Sequence, residues 1–375
     1  MVGNQTQSNR ITVRCIIFAL SFASLLGWGF FYPSESNAES CDVPVDLRKT
    51  TVAGLPSGEQ GDSYACGFFA ASTLLDSFRM QNDGKLDSLP IDPIGLGIDL
   101  AIQVNRPRWL PIQVTTDPLS DVGGRRGSYF CDIIDHVRDN AVCDFNDPRA
   151  QNRAWMTTRS NQGMALYKAL STFAAASTES QKKKLPALVL KVRELTKNET
   201  TVPQSDEALT KLLWQNRDTP YPAVRALLYP QCKASRTGKA FERLPDCQTQ
   251  WFAGLGSIGI GQDTRKAQRI TQSIHEGLNT PNGLPIPVLH CFQVFREGRA
   301  FESSTPFSSS CIMHYTNVIG RRKKNGVCQF LIRNSYDPKT GGDVISKDWE
   351  RDGADFWVDA PIFSRSAYAL HWLED

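Results

Sequence analysis

Glu59-Gln60-Gly61-Asp62-Ser63-Tyr64-Ala65-Cys66-Gly67-Phe68-Phe69-Ala70-Ala71-Ser72 runs from a polar, glycine-containing turn into a cysteine that opens an apolar segment. Phe68, Ala71, Leu75 and Phe78 recur at helical spacing, and Phe69, Ala70 and Leu74 widen the apolar surface. The spacing predicts a helix from Cys66 to about Met80, buried on most sides. A thiol in the first turn of such a helix lies near unpaired backbone N–H groups and the positive end of the helix dipole, which favour the thiolate. The thiolate is the nucleophilic form. Gln60, upstream of the cysteine, offers a side-chain N–H to a developing oxyanion. The same local residues also suit a buried or disulfide-bonded structural cysteine, so the rest of the chain has to separate the two.

The N-terminus bears on the compartment. Arg10 and Arg14 precede an apolar run from Cys15 to Tyr32, and Ser36-Asn37-Ala38 supplies small residues for cleavage near Ala38/Glu39. Residues 1–38 therefore read as a signal peptide, and the protein is expected to be secreted or periplasmic. An uncleaved anchor is the alternative, because the run approaches the length of a membrane span. No later stretch is long and apolar enough to span a bilayer, so no stable membrane span is expected after cleavage. A formal net charge of +3 is close to neutral and gives no support to a nucleic-acid partner. The chain has 10 cysteines, and removing Cys15 with the leader leaves an odd number. Setting Cys66 aside, the remainder could form four bridges in an oxidising compartment. Parity does not name the free thiol, but it is compatible with Cys66.

Downstream, a helix is expected over about 128–142, with Tyr129, Ile133, Val137 and Ala141 on one stripe. Further helices are expected over 162–176, 184–196, 206–217 with Ser205 as N-cap, and 264–278. Lys182-Lys183-Lys184 reads as a solvated helix start. Gly254-Leu255-Gly256-Ser257-Ile258-Gly259 matches a dinucleotide fingerprint by letter, but no strand-like run precedes it, so it reads as a connector. No organic cofactor is implied, and the Cys and His residues lack compact metal-ligand spacing. The last third reads as strands over 286–295, 312–321 and 327–333, with Asn325-Gly326 as a hairpin signal, and an aromatic tail supplies more. Helices first and antiparallel strands later indicate an α+β fold with two lobes. The helical lobe is expected over about 60–145 and the β lobe over about 266–375, with a helical insertion over about 145–265 between them.

Five histidines could serve as a base to a cysteine nucleophile. His136 and His275 fall on expected helices, His290 within a strand and His371 in the aromatic tail, where packing or surface roles suffice. His314 opens a hairpin strand whose return ends in Arg333-Asn334-Ser335-Tyr336. A loop centred near Lys324 would set His314 opposite Asn334, and directly opposed Cβ atoms lie about 4.5–5.5 Å apart. A tight Asn325-Gly326 turn would instead set Asn334 opposite Asn317, so the longer loop is the expectation. Asn334 could then fix the imidazole and leave its other nitrogen for the thiol.

In order, Gln60-Gly61 and Cys66, Gly123-Gly124, His314 and Asn334-Ser335-Tyr336 resemble the motifs of papain-like cysteine peptidases, and Asp46-Leu47-Arg48 is similar to the segment that begins their mature chains. The resemblance covers roughly 41–80, 121–143 and 284–340. It implies a papain-like two-lobe fold with Cys66 as nucleophile, His314 as base and acid, and Asn334 as orienter of the histidine. It further implies Gln60 and the Cys66 N–H as oxyanion donors, Gly123 and Gly124 as the wall that binds extended substrate, and Tyr336 as the shield of the Asn–His bond. The implied partners are a peptide or protein substrate and a proteinaceous inhibitor.

Several departures accompany the resemblance. The family's Cys-Gly-Ser/Ala-Cys-Trp/Tyr signature is here Ser63-Tyr64-Ala65-Cys66-Gly67. Ser63 and Asp121 replace both halves of a family disulfide together. Gly67 stands where an aromatic residue is usual and is expected to leave part of the cleft floor open. Cys66 and His314 are farther apart than the roughly 130–150 residues of the family, an excess assigned to the insertion, which is expected to cap or regulate the cleft. Gln60, Cys66-Gly67, His314-Tyr315 and Asp337-Pro338 also resemble the bacteriocin-leader peptidases, in which Asp337 would replace Asn334. A cell-wall amidase or acyltransferase, and an inert binding protein of the same fold, are the readings from other classes.

Overall fold

The computed structural model describes residues 41–55, 57, 66–83, 90–93, 95–97, 129–139, 153–197, 199, 202–228, 243–252, 264–280, 283–299, 311–335 and 345–374. All belong to one unit spanning Asn37–Asp375. The proposed signal peptide, Gln60, Ser63, Asp121, Gly123, Gly124, Gly254–Gly259, Tyr336 and Asp337 lie outside the described residues.

Strand β1 (Val45–Asp46) leads through a 3-10 turn towards helix α1 (Cys66–Asp83). Phe68, Phe69, Ala70, Ala71, Leu74, Leu75 and Phe78 are all buried, as an apolar surface this wide requires. Next come α2 (Tyr129–Asp139), α3 (Arg153–Ala174), α4 (Thr178–Leu195), α5 (Asp206–Gln215) and α6 (Pro220–Leu228). Ser177 and Ser205 cap α4 and α5, each accepting an N–H three residues on. Because α4 begins at Thr178, Lys182, Lys183 and Lys184 lie within it as exposed side chains and do not open it.

Strand β2 (Asp246–Trp251) falls inside the stretch expected to be helical. Its Asp-Cys-Gln-Thr-Gln-Trp sequence has no apolar alternation, and pairing with a neighbouring strand decides its conformation, an edge effect that local propensity does not carry. Helix α7 (Thr264–Leu278) buries Ala267, Ile270, Ile274 and Leu278 along one stripe. The expected strand over 286–295 divides into β3 (Ile286–Cys291) and the short helix α8 (Gln293–Glu297), which ends at Gly298 with a left-handed backbone. Strands β4 (Met313–Lys324), β5 (Val327–Arg333), β6 (Glu350–Asp352) and β7 (Asp355–Asp359), helix α9 (Ala360–Ser366) and strand β8 (Ala367–Glu374) complete the described chain. The fold is α+β, and no described helix is long and apolar enough to cross a membrane.

One antiparallel sheet runs β2-β8-β3-β4-β5-β7-β6, with β1 added beside β4. β3 pairs with the first half of β4, and β1 pairs farther along, Val45 with Arg321 and Asp46 with Gly320. A Cβ at Gly320 would stand 2.5 Å from Val45 O, so the approach of β1 requires glycine there. Two apolar clusters meet at the sheet: Leu289 and Cys291 of β3 join the one around α1 to α6, and Ile286 and Val288 join the one around α7 and α9. That division follows the strand's period of two.

Three disulfides lie among the described residues. Cys41–Cys328 ties the N-terminal segment to β5, Cys131–Cys247 joins α2 to β2, and Cys291–Cys311 joins the end of β3 to the chain entering β4. Cys66 is the free cysteine among the described residues. Cys143 and Cys232 lie outside them.

Candidate active site

Cys66 opens α1, and the backbone N–H groups of Tyr315, of Gly67 and of Cys66 itself favour the charged form of its sulfur. Tyr315 immediately follows His314 in β4, so the helix start and the histidine meet at this strand. Burial pushes the Cys66 thiol up, against the lowering effect of the three N–H groups. The helix start thus donates to the sulfur as expected, but desolvation outweighs it, and the resting group is the neutral thiol rather than the expected thiolate.

His314 is 3% exposed, and its Nε2 lies 2.7 Å from Asn334 Oδ1. Asn334 Oδ1 also accepts the Ser335 N–H at 2.9 Å, which fixes the orientation of the amide. Facing that oxygen, Nε2 must carry the ring proton, so Nδ1 is the basic nitrogen. Phe292 packs edge-on against the His314 ring at 4.8 Å and His290 at 5.6 Å. Burial lowers the His314 imidazole to about 4, although the Asn334 bond favours its charged form. Cys66 and His314 therefore both rest uncharged.

The route by which Asn334 reaches His314 differs from the expected one. The hairpin turn is tight: Lys324 pairs with Val327, and Asn325 and Gly326 carry φ of 52° and 79°. A register shift between Val318 and Gly320 then places Arg333, not Asn334, opposite Asn317. Asn334, one residue past β5, meets His314 diagonally on the same strand face, a separation that long side chains span.

Two anchors hold this end of the sheet, and neither was read from the sequence. Asn317 Nδ2 donates to Ala70 O at 3.2 Å, tying β4 to α1. Arg333 binds Asp355 through Nε and Nη2 at 3.1 and 3.2 Å and donates from Nη1 to Leu55 O at 3.2 Å. A shallow pocket lies beside them, lined by Phe69, Thr73, Asn317, Arg333 and Asn334 among others. Its described lining includes Tyr315 and Asn334 but neither Cys66 nor His314.

Gly67 does not leave an open floor. A Cβ there would lie 3.4 Å from Tyr315 Cδ2 and 3.9 Å from Ile133 Cδ1, because the tyrosine ring already occupies the space. Gly67→Ala is expected to change stability by less than about 1 kcal/mol, its helix-propensity gain offsetting the tight contact. Gly67→Trp has no room and is expected to cost about 1–3 kcal/mol by overpacking. Urea unfolding of the two variants checks the contrast, and an equally stable Trp variant would contradict the packing described.

The remaining histidines are buried as well. His290 Nδ1 lies 3.1 Å from Cys291 O and its Nε2 3.2 Å from Thr316 Oγ1, and His371 stacks on Phe130 at 4.6 Å. Burial lowers His275 to about 4 and His371 to about 3, and burial with His314 beside it lowers His290 well below its ordinary value. These depressed values, with that of His314, mean that the unfolded chain binds more protons than the folded one between about pH 6.5 and 4. Stability should fall as pH drops through that window, by about 3 kcal/mol for each histidine shifted to about 4. Asp76 opposes this, since burial raises its carboxyl to about 6 despite Arg79 and the Ile91 N–H, and Asp132, raised by burial and Asp135, opposes it too, but these are two groups against four. Unfolding midpoints measured from pH 7.5 to 4 are expected to decline, and a flat profile would refute the assignment of neutral buried imidazoles.

Comparison with protein-family models and with curated proteins finds no match to this chain.

Proposed function

We propose that the chain is an exported papain-like cysteine peptidase with a two-lobe arrangement, using Cys66, His314 and Asn334. The single observation that carries this reading is the buried 2.7 Å His314 Nε2–Asn334 Oδ1 bond, formed on the residue next to Tyr315, whose N–H favours the charged form of the Cys66 sulfur. That bond supports Asn334 rather than Asp337 as the orienter. In the proposed reaction, the Cys66 sulfur attacks the peptide carbonyl carbon as its proton passes to His314 Nδ1. The Cys66 N–H is a donor for the oxyanion, with Gln60 in the same role. The imidazolium then protonates the departing amine, and His314 activates a water that hydrolyses the thioester. Since burial keeps both groups neutral at rest, proton transfer is expected to accompany attack. The three disulfides are compatible with an exported chain.

A second reading is a catalytically inert binding protein of the same fold. It is favoured by the burial of Cys66, which pushes its thiol up and disfavours the nucleophilic form. Labelling with a thiol-directed epoxide peptide, followed by mapping of the modified residue, separates the two. Modification at Cys66 that is lost in Cys66→Ala supports the peptidase, and an unlabelled Cys66 supports the inert protein. Casein-like substrates against peptidoglycan fragments then separate a peptidase from a cell-wall amidase.

A further inference from the structure

Arg321 is a buried cation whose partners among the described residues are all neutral. Its side chain donates to Val43 O at 3.1 Å, His275 O at 3.1 Å, Asn279 Oδ1 at 2.5 Å and His275 Nδ1 at 3.4 Å, and it is 2% exposed. Among the described residues no carboxylate bonds to it. Buried charges are ordinarily paired, so this part of the core has an excess of positive charge.

The excess is directed at two sulfurs. A guanidinium only donates, so His275 Nδ1 accepts from it and the ring proton resides on Nε2. Nε2 lies 3.8 Å from Cys41 Sγ and 3.7 Å from Cys328 Sγ. An N–H backed by a fixed cation thus faces both atoms of the Cys41–Cys328 bridge. A disulfide is neutral and gains little from this field, whereas a thiolate gains much. The other two described bridges contact neutral groups: Thr249 Oγ1 at Cys131, Gln293 Oε1 at Cys291 and Tyr368 OH at Cys311. Stabilising the reduced form makes a bridge easier to reduce.

We propose that Cys41–Cys328 is a thiol–disulfide exchange site, opened by a dithiol reductant, in which Cys328 is attacked and Cys41 leaves towards His275. Cys328 is the half-buried member and Cys41 is 3% exposed, which sets the side of attack. One thiolate of the dithiol bonds to Cys328 Sγ, and the bridge electron pair departs on Cys41 Sγ, held by the Nε2–H. The second thiol of the reductant, losing its proton, attacks its own sulfur in the mixed disulfide and releases Cys328 as thiolate. The reductant is oxidised to a cyclic disulfide, the bridge gains two electrons, and the protons released are taken up by the new thiolates or by solvent.

The same three atoms lie within 4.8 Å of one another and would suit a thiophilic divalent cation once the bridge is open. The proton on Nε2 and the adjacent guanidinium both oppose that use. Opening the bridge frees the segment that carries β1, whose Leu55 O anchors Arg333. The inference does not rest on any role for Cys66.

The test is to equilibrate the full oxidised protein with graded ratios of reduced to oxidised dithiothreitol under native conditions, quench with acid, alkylate and map. Cys66 is the internal free-thiol control. Cys41 and Cys328 are expected to reduce together at a ratio about tenfold or more below that needed for Cys131–Cys247 and Cys291–Cys311. Arg321→Met should raise the required ratio about tenfold or more, and Arg321→Lys, which keeps the charge, should raise it less. Reduction of Cys41–Cys328 at the same ratio as the other bridges, or after them, would overturn the proposal. An unchanged midpoint in Arg321→Met would do the same. Should Arg321→Met not fold, the order of reduction in the unmodified protein decides alone.

Discussion

Cys66→Ala is expected to reduce peptide turnover by roughly 10⁴-fold or more, since the proposed nucleophile has no substitute. Among the described residues no other free cysteine could take its place. His314→Ala should fall nearly as far, because members of such a set act as a unit and their losses do not add. Asn334→Ala is expected to be milder, roughly 10- to 100-fold, the worth of one hydrogen bond to a group that becomes charged during the reaction. The order Cys66, His314, Asn334 is itself the check. Measured kcat/KM values in which Asn334→Ala equals Cys66→Ala, or in which Cys66→Ala retains turnover, would contradict the assigned roles.

Arg333→Ala is expected to give the largest loss of stability of any change near the site. Arg333 and Asp355 are both buried and share two hydrogen bonds, and removing one partner of such a pair costs about 3–5 kcal/mol. Arg48 Nη1 stands 3.9 Å from Asp355 and partly compensates the stranded carboxylate, so the lower end, about 3 kcal/mol, is expected. Arg333→Lys keeps the charge but loses the two-point geometry and is expected to fall between. Turnover should drop with both, because Asn334 is the next residue and Leu55 O loses its donor. Urea unfolding together with kcat separates the two effects. Unchanged stability in Arg333→Ala would show that the pair holds nothing.

Elements whose cause is local were legible in the residues. The stripe Ala267, Ile270, Ile274 and Leu278 places α7 at its observed bounds. Ser205 caps α5 as its side-chain chemistry requires. Asn325-Gly326 forms the turn, because these residue types tolerate positive φ. Even the odd cysteine behaves as parity allows, with Cys66 free beside three described bridges. Strand β2 was not legible, since a polar edge strand takes its conformation from β8.

At the candidate site, the sequence by itself determined the cast: a cysteine opening an apolar helix, a histidine opening a strand, and an asparagine just beyond the returning one. Residue type, hydrophobic period and turn chemistry are properties of a few neighbouring residues, so they can be read along the chain. Tertiary structure alone decided the rest. The shift at Val318/Gly320 set which residue faces which, and a one-residue change of register turns every side chain to the other face. Packing put the Tyr315 ring into the space at Gly67 and Arg333 between Asp355 and Leu55. Burial, which depends on every element packed above, left Cys66 and His314 each neutral. A helix start can offer N–H groups to a sulfur, but only the finished core decides how much water that sulfur has lost.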